Sequence, residues 1–141
     1  MKKTFGVMMA AGVLAVATVF TGCGRGEEVY VIGERFFLQQ MDNIFLNHTD
    51  YLGRTLQYQG LFRTVHWPPT NSYHHYVFRY VASCCGMQGM GFEVLLGNAQ
   101  TLPDESWVEV TGVLEEYQGY IVIRVVSLVE IPRRGTGVIR L

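Results

Sequence analysis

Cys84 and Cys85 stand side by side, and His66, His74 and His75 lie a short way upstream of them. Thiolate and imidazole groups are ligands for soft or borderline metals, and paired thiols also do exchange chemistry. Neighbouring Cα atoms lie about 3.8 Å apart, below the usual disulfide window of roughly 4.4–6.8 Å, so a bridge between these two would close a strained ring. Successive side chains of a strand point to opposite faces, so both sulfurs reach one ion only where the chain bends. Gly86, Gly89 and Gly91 allow such a bend. Three readings of Cys84 and Cys85 stay open: a thiol pair holding zinc or copper, a vicinal disulfide with a redox role, or one packed thiol beside one that fills a turn. The histidines do not extend the set. His74 and Cys84 are ten residues apart, about 33 Å in a fully extended strand, so the two groups belong at opposite ends of one element.

A second constellation surrounds the run Pro68-Pro69-Thr70-Asn71-Ser72. His66 and Trp67 precede it; Tyr73, His74, His75 and Tyr76 follow. If the run is a hairpin loop, one imidazole from each side meets the other, where the histidines bind a divalent ion or titrate with pH. The aromatics, extended by Phe78 and Tyr80, form a stacking platform for a base or sugar, with Arg63 and Arg79 as nearby cations. The plainer alternative is an aromatic hairpin with exposed polar histidines. For catalysis the chain offers no G-x-S-x-G, no H-E-x-x-H and no glycine-rich phosphate cradle. Asp104-Glu105 and Glu115-Glu116 read as solvated turn charges, so a non-enzymatic protein is expected.

The elements that must position these groups follow from periodicity. Phe37, Met41, Ile44 and Phe45 recur at helical spacing, so a helix is expected over residues 36–47. Alternation predicts strands from Leu56 to Val65, Tyr73 to Val81, Phe92 to Leu96, Trp107 to Leu114 and Tyr120 to Ile131, with Gln118-Gly119 as a hairpin turn. Ser83 to Gly91 reads as an irregular, glycine-rich link. Ile121, Ile123, Val125, Val129 and Ile131 are expected on one face. Gly60 and Gly112 interrupt strands where a tightly coiled barrel needs them. The fold class is mainly β: a five-stranded, antiparallel barrel like the oligonucleotide/oligosaccharide-binding (OB) fold, preceded by a short α-helix. A plain β-sandwich is the alternative.

The chain opens with Met1-Lys2-Lys3, an uncharged apolar run from Phe5 to Phe20, then Thr21-Gly22-Cys23. This resembles a bacterial lipoprotein signal peptide, which implies removal of residues 1–22 and acylation of Cys23 with chains such as palmitate. Residues 23–29 would then be a tether, 30–131 the barrel domain and 132–141 a tail. Such a protein is held to the extracytoplasmic side of a bacterial membrane by its lipid. The run is too short for a spanning helix. Both lysines lie in the leader; beyond Gly22 nine arginines face twelve acids, a net charge of −3. That excludes a lysine Schiff base and argues against nucleic acid as partner.

Asn47-His48-Thr49-Asp50-Tyr51-Leu52-Gly53, Phe78-Arg79-Tyr80 leading to Cys84-Cys85-Gly86, and Trp107-Val108-Glu109-Val110-Thr111-Gly112 together resemble an uncharacterised bacterial OB-fold family. Its members include lipoproteins and the outer soluble parts of small membrane proteins encoded beside a predicted permease. The resemblance covers about residues 36–131. It implies an accessory role near a transporter, binding a ligand or an envelope partner such as a permease. In members beside permeases an Asp often follows the cysteine pair; here Gly86-Met87-Gln88 follows.

Overall fold

The computed structural model describes residues 28–133 and 137–140. The leader, Cys23 and most of the expected tether therefore lie outside the described residues. A two-residue strand, β1 (Tyr30–Val31), is followed by a short 3-10 turn and by α1 (Phe37–Leu46). Phe37, Met41 and Ile44 of α1 are buried at the i, i+4, i+7 spacing that places them on one helix face. Each such burial contributes about 1.5–3 kcal/mol of transfer free energy. After a second 3-10 turn at His48–Asp50 come β2 (Thr55–Trp67), β3 (Ser72–Ser83), β4 (Gly86–Leu95), β5 (Trp107–Tyr117), β6 (Tyr120–Glu130) and β7 (Val138–Arg140).

Strand order closes on itself. β2 pairs with β5, β5 with β6, β6 with β4, β4 with β3, and β3 returns to β2. The result is a closed five-stranded barrel with one short helix ahead of its strands, as the pattern predicts. One seam differs from expectation: β4 and β6 run parallel, through Glu93↔Val122, Val94↔Ile123 and Leu95↔Arg124. A two-residue hairpin cannot join parallel strands, so the connection runs instead through residues 96–106 and the whole of β5. β1 adds to the free edge of β2 at Leu56 and Gln57, and β7 adds to β3 at Tyr80–Ala82. Residues 132–141, read as a tail, thus contribute a strand.

Alternation sorts the side chains. Leu56, Tyr58 and Phe62 of β2 join Val77, Phe92, Val94, Val108, Val110, Leu114 and Ile123 in the interior, beneath α1. Gln57 and Gln59 lie on the other face, where both amide groups donate to the carboxylate of Glu109. Leu61, Phe78 and Trp107, cross-strand neighbours on that outer face, form a second and smaller cluster with Tyr76, Tyr80 and Ile131 around it.

Two expectations are corrected here. Residues Gly86–Gly91 are strand, not an irregular link. Two of their three glycines lie hard against β3 at Val77 and Phe78: a Cβ on Gly91 would overlap the Val77 carbonyl oxygen, and one on Gly89 would meet the Phe78 ring at 3.2 Å. Glycine here marks close backbone approach rather than disorder. The face of β6 also changes along its length. The register slips between Thr111 and Gly112, pairing Thr111 with Ser127 and Gly112 with Val125, so Val126 bulges out. Beyond that bulge Leu128 packs against the interior and Val129 is exposed, because one extra residue reverses which side chains face in.

Candidate functional site

The β2–β3 hairpin carries all six aromatic and histidine candidates. Its register sets Arg63 opposite Tyr76, Thr64 opposite His75, Val65 opposite His74, His66 opposite Tyr73 and Trp67 opposite Ser72. Strand alternation therefore divides the candidates between two faces. Trp67, His74 and Tyr76 share one with Ser72, Val65 and Arg63; His66, Tyr73 and His75 share the other.

Each histidine has its own partners. His66 Nε2 lies 3.0 Å from Asn71 Oδ1, and its ring packs on Tyr73 with centroids 4.9 Å apart. Asn71 itself has φ +49°, the left-handed conformation that Asn tolerates in a tight turn. His75 Nδ1 lies 3.0 Å from Thr64 Oγ1 and the ring stacks on buried Phe62. Burial, and secondarily the neighbouring His74, hold the His75 imidazole below its ordinary 6.5, while Glu93 and Asp104 act against that. The fold thus favours neutral His75.

His74 takes part in an arrangement the sequence reading missed. Its Nε2 lies 2.9 Å from Ser72 Oγ, and its Nδ1 lies 2.7 Å from Glu93 Oε1. Hydroxyl, imidazole and carboxylate are connected in the order of a serine–histidine–acid triad. The signal was available: Ser72 and His74, two apart on a strand, share a face, and β4 is next to it. Glu93 is not legible from the sequence, because its pairing depends on the β3–β4 register. Ser72 Oγ is also bonded to Thr70 Oγ1 at 2.7 Å, and the imidazole and carboxylate remain 36% and 23% exposed. In contact with water, this chain of bonds fixes the root of the hairpin to β4.

The aromatic platform is smaller than expected. Phe78 is buried across the β4 glycines, Tyr80 meets it edge-on at 5.1 Å, and Arg63 donates to Tyr80 Oη at 2.9 Å while pairing with Glu105. Arg79 is not available to a ligand. Its guanidinium sits inside the fold between the rings of Phe37 and Trp107, at 4.6 and 5.0 Å, with Nε donating to Gln59 O at 2.8 Å. Glu34 lies 3.8 Å from Nη1, and desolvation pulls the guanidinium pKa down. Arg79 closes the barrel where β2 and β3 part company, one residue past their last pair at Leu61 and Phe78. What projects freely is the hairpin end, with Trp67 53% and Tyr73 65% exposed.

At the other end of β3, Cys84 and Cys85 are both exposed, as free thiols. They are far along the strand from His74, as the residue count requires. Among the described residues no three His, Cys, Asp or Glu side chains gather as a metal would need.

The sequence profile of the DUF1980 C-terminal domain matches residues 20–133. The chain belongs to this uncharacterised family. No curated protein and no solved structure matches it. The DUF1980 C-terminal domain thus covers α1, the five barrel strands and the cysteine turn, and ends before β7. Within this domain no helix among the described residues is long and apolar enough to cross a membrane.

Proposed function

We propose that the chain is a membrane-anchored lipoprotein whose barrel is a non-enzymatic binding or accessory module on the outer side of a bacterial membrane, serving an envelope protein such as a permease. The leader and Cys23 support the anchor, and the resemblance of the body to permease-associated domains supports the partner class. One observation carries the binding role. β1 delivers the chain to β2 at Leu56 and Gln57, whereas exposed Trp67 lies eleven residues further along the same strand, up to about 35 Å away. A protein tethered just before β1 thus presents Trp67 and Tyr73 at the end remote from the tether, while exposed Phe36, Tyr117 and Tyr120 lie nearer to it. Exposed Trp and Tyr at a projecting tip are the residue types that dominate protein contacts.

Mass spectrometry of protein extracted from bacterial membranes should find Cys23 acylated, and Cys23→Ser should release the chain into the soluble fraction. Unmodified Cys23 in that preparation defeats the anchor. For the binding role, Trp67→Ala with Tyr73→Ala should abolish co-purification with a membrane permease that the wild-type protein retains, while leaving the fold intact; a wild-type protein that retains no permease defeats that partner. The Ser72–His74–Glu93 connectivity supplies the rival reading. Covalent labelling of Ser72 by an organofluorophosphonate, lost in Ser72→Ala and His74→Ala, would replace the binding module with a serine hydrolase.

A further inference from the structure

Cys84 and Cys85 are the two middle residues of the tight turn that joins β3 to β4, between the register pair Ser83 and Gly86. Cysteine is a strange choice for both places. Two-residue hairpin turns favour Asn, Asp and Gly, and free cysteine is among the most buried of residue types. Here both are exposed. Neither cysteine takes a positive φ; Gly86, at φ +123°, supplies the reversal instead. The turn is braced by Ser83, whose hydroxyl receives the Cys85 amide at 3.4 Å and donates to the Gly86 carbonyl at 3.1 Å.

Bending at the turn has a consequence for the sulfurs. On a continuous strand they would point to opposite faces; here they lie together, with Sγ atoms 3.5 Å apart. Two sulfurs each about 2.3 Å from one ion and 3.5 Å from each other subtend roughly 100° at it, close to a tetrahedral angle. A linear two-coordinate ion would hold its sulfurs roughly 4.5 Å apart, twice the metal–sulfur distance. The spacing fits a tetrahedral thiophilic cation better than linear copper(I).

We propose that Cys84 and Cys85 form an open, two-thiolate half-site for one tetrahedral d10 cation of the zinc class. The turn supplies two of four ligands. The other two positions face solvent, where water or donors from a second molecule complete the shell, so the ion is held in an exchangeable way rather than caged. Binding releases the thiol protons to solvent, and no redox step is involved.

The test uses the full chain carrying Cys23→Ser, so that only two thiols remain, reduced and then freed of reductant under argon. Titration with Co2+ should give a near-ultraviolet thiolate-to-metal charge-transfer band, and Zn2+ should displace it. Each of Cys84→Ser and Cys85→Ser should weaken Zn2+ binding by about tenfold or more. Their combination should abolish it, while His66→Ala, His74→Ala and His75→Ala leave it unchanged. One ion per chain indicates completion by water, and one per two chains indicates a shared site; either supports the half-site. Alkylating the two thiols of the folded protein should block binding too, which keeps the test decisive if a serine variant misfolds. Absence of the band, binding that survives loss of both thiols, or a pair found only as a disulfide after reduction would each overturn the proposal.

Discussion

Tyr58 shows how single atoms hold this barrel. Its ring lies in the interior between Phe37 and Phe92, and its hydroxyl donates to the Val77 carbonyl at 2.7 Å and accepts from the Phe92 amide at 3.3 Å. Burial drives its pKa upward, so the phenol stays protonated and able to donate. Tyr58→Phe keeps the ring but deprives two buried backbone groups of this partner, and should cost about 1–3 kcal/mol in denaturant unfolding. His75 gives the pH dependence. Because burial lowers its pKa from 6.5 in the fold, the unfolded chain takes up a proton that the folded chain resists. This group therefore adds a stability that is present above 6.5 and is lost as pH falls through the window beneath it. His75→Gln, which can still bond Thr64, should flatten that part of the curve. Unfolding midpoints of wild type and variant, compared from about pH 5 to about pH 7, should converge at the acid end. At this scale the sequence shows the histidines and cysteines as chemical groups but does not show their partners. Thr64 and Glu93 become partners only through strand register, and Asn71 only through the closing of the turn, which residue types do not encode; Ser72, two residues from His74 on one strand, was within reach of the sequence.

Among the elements, α1 and the five barrel strands were legible because their apolar spacing follows the helical and strand periods directly. The two misread stretches share a cause. At Gly86–Gly91 and at Val126 the local pattern answers to a neighbour across the sheet: Phe78 lying over the glycines in one case, the slip against Thr111 and Gly112 in the other. A sequence read along one chain has no view of either. The glycines then make a sharp prediction. Gly91→Ala would drive a methyl group into the Val77 carbonyl, and both neighbours there are paired backbone rather than a side chain that can swing away. The β3–β4 ladder must separate locally, so this substitution should be far more damaging than Gly119→Ala. Gly119 has open space around it and carries only the strain of φ +83°. Thermal unfolding of the two variants, measured side by side, checks the order: the reverse ranking would mean that Phe78 and β4 shift apart easily.

As a whole the molecule is a ring, and a ring is only as closed as its shortest seam. Ten register pairs join β5 to β6 and eight join β3 to β4, but three close β4 against β6. Those three are parallel, the pairing that is slightly less stable per residue. Beneath them Val94 and Ile123 are fully buried, so apolar packing rather than hydrogen bonding keeps the seam shut. Packing weakens steeply when a side chain is shortened, whereas a long ladder shares the loss among many bonds. Native-state hydrogen exchange should therefore find amides of Glu93–Leu95 on β4 opening at a lower free energy than amides at Val110 or Leu114 on β5, which need disruption of the longer ladder. Val94→Ala should widen the gap, removing about 0.5–2.5 kcal/mol of packing from the seam opening while leaving the β2–β5 amides protected until global unfolding. Equal protection along β4 and β5 would show instead that the barrel opens as one unit, with α1 acting as a clasp across the seam through Phe45, which stacks on Phe92 at 4.8 Å.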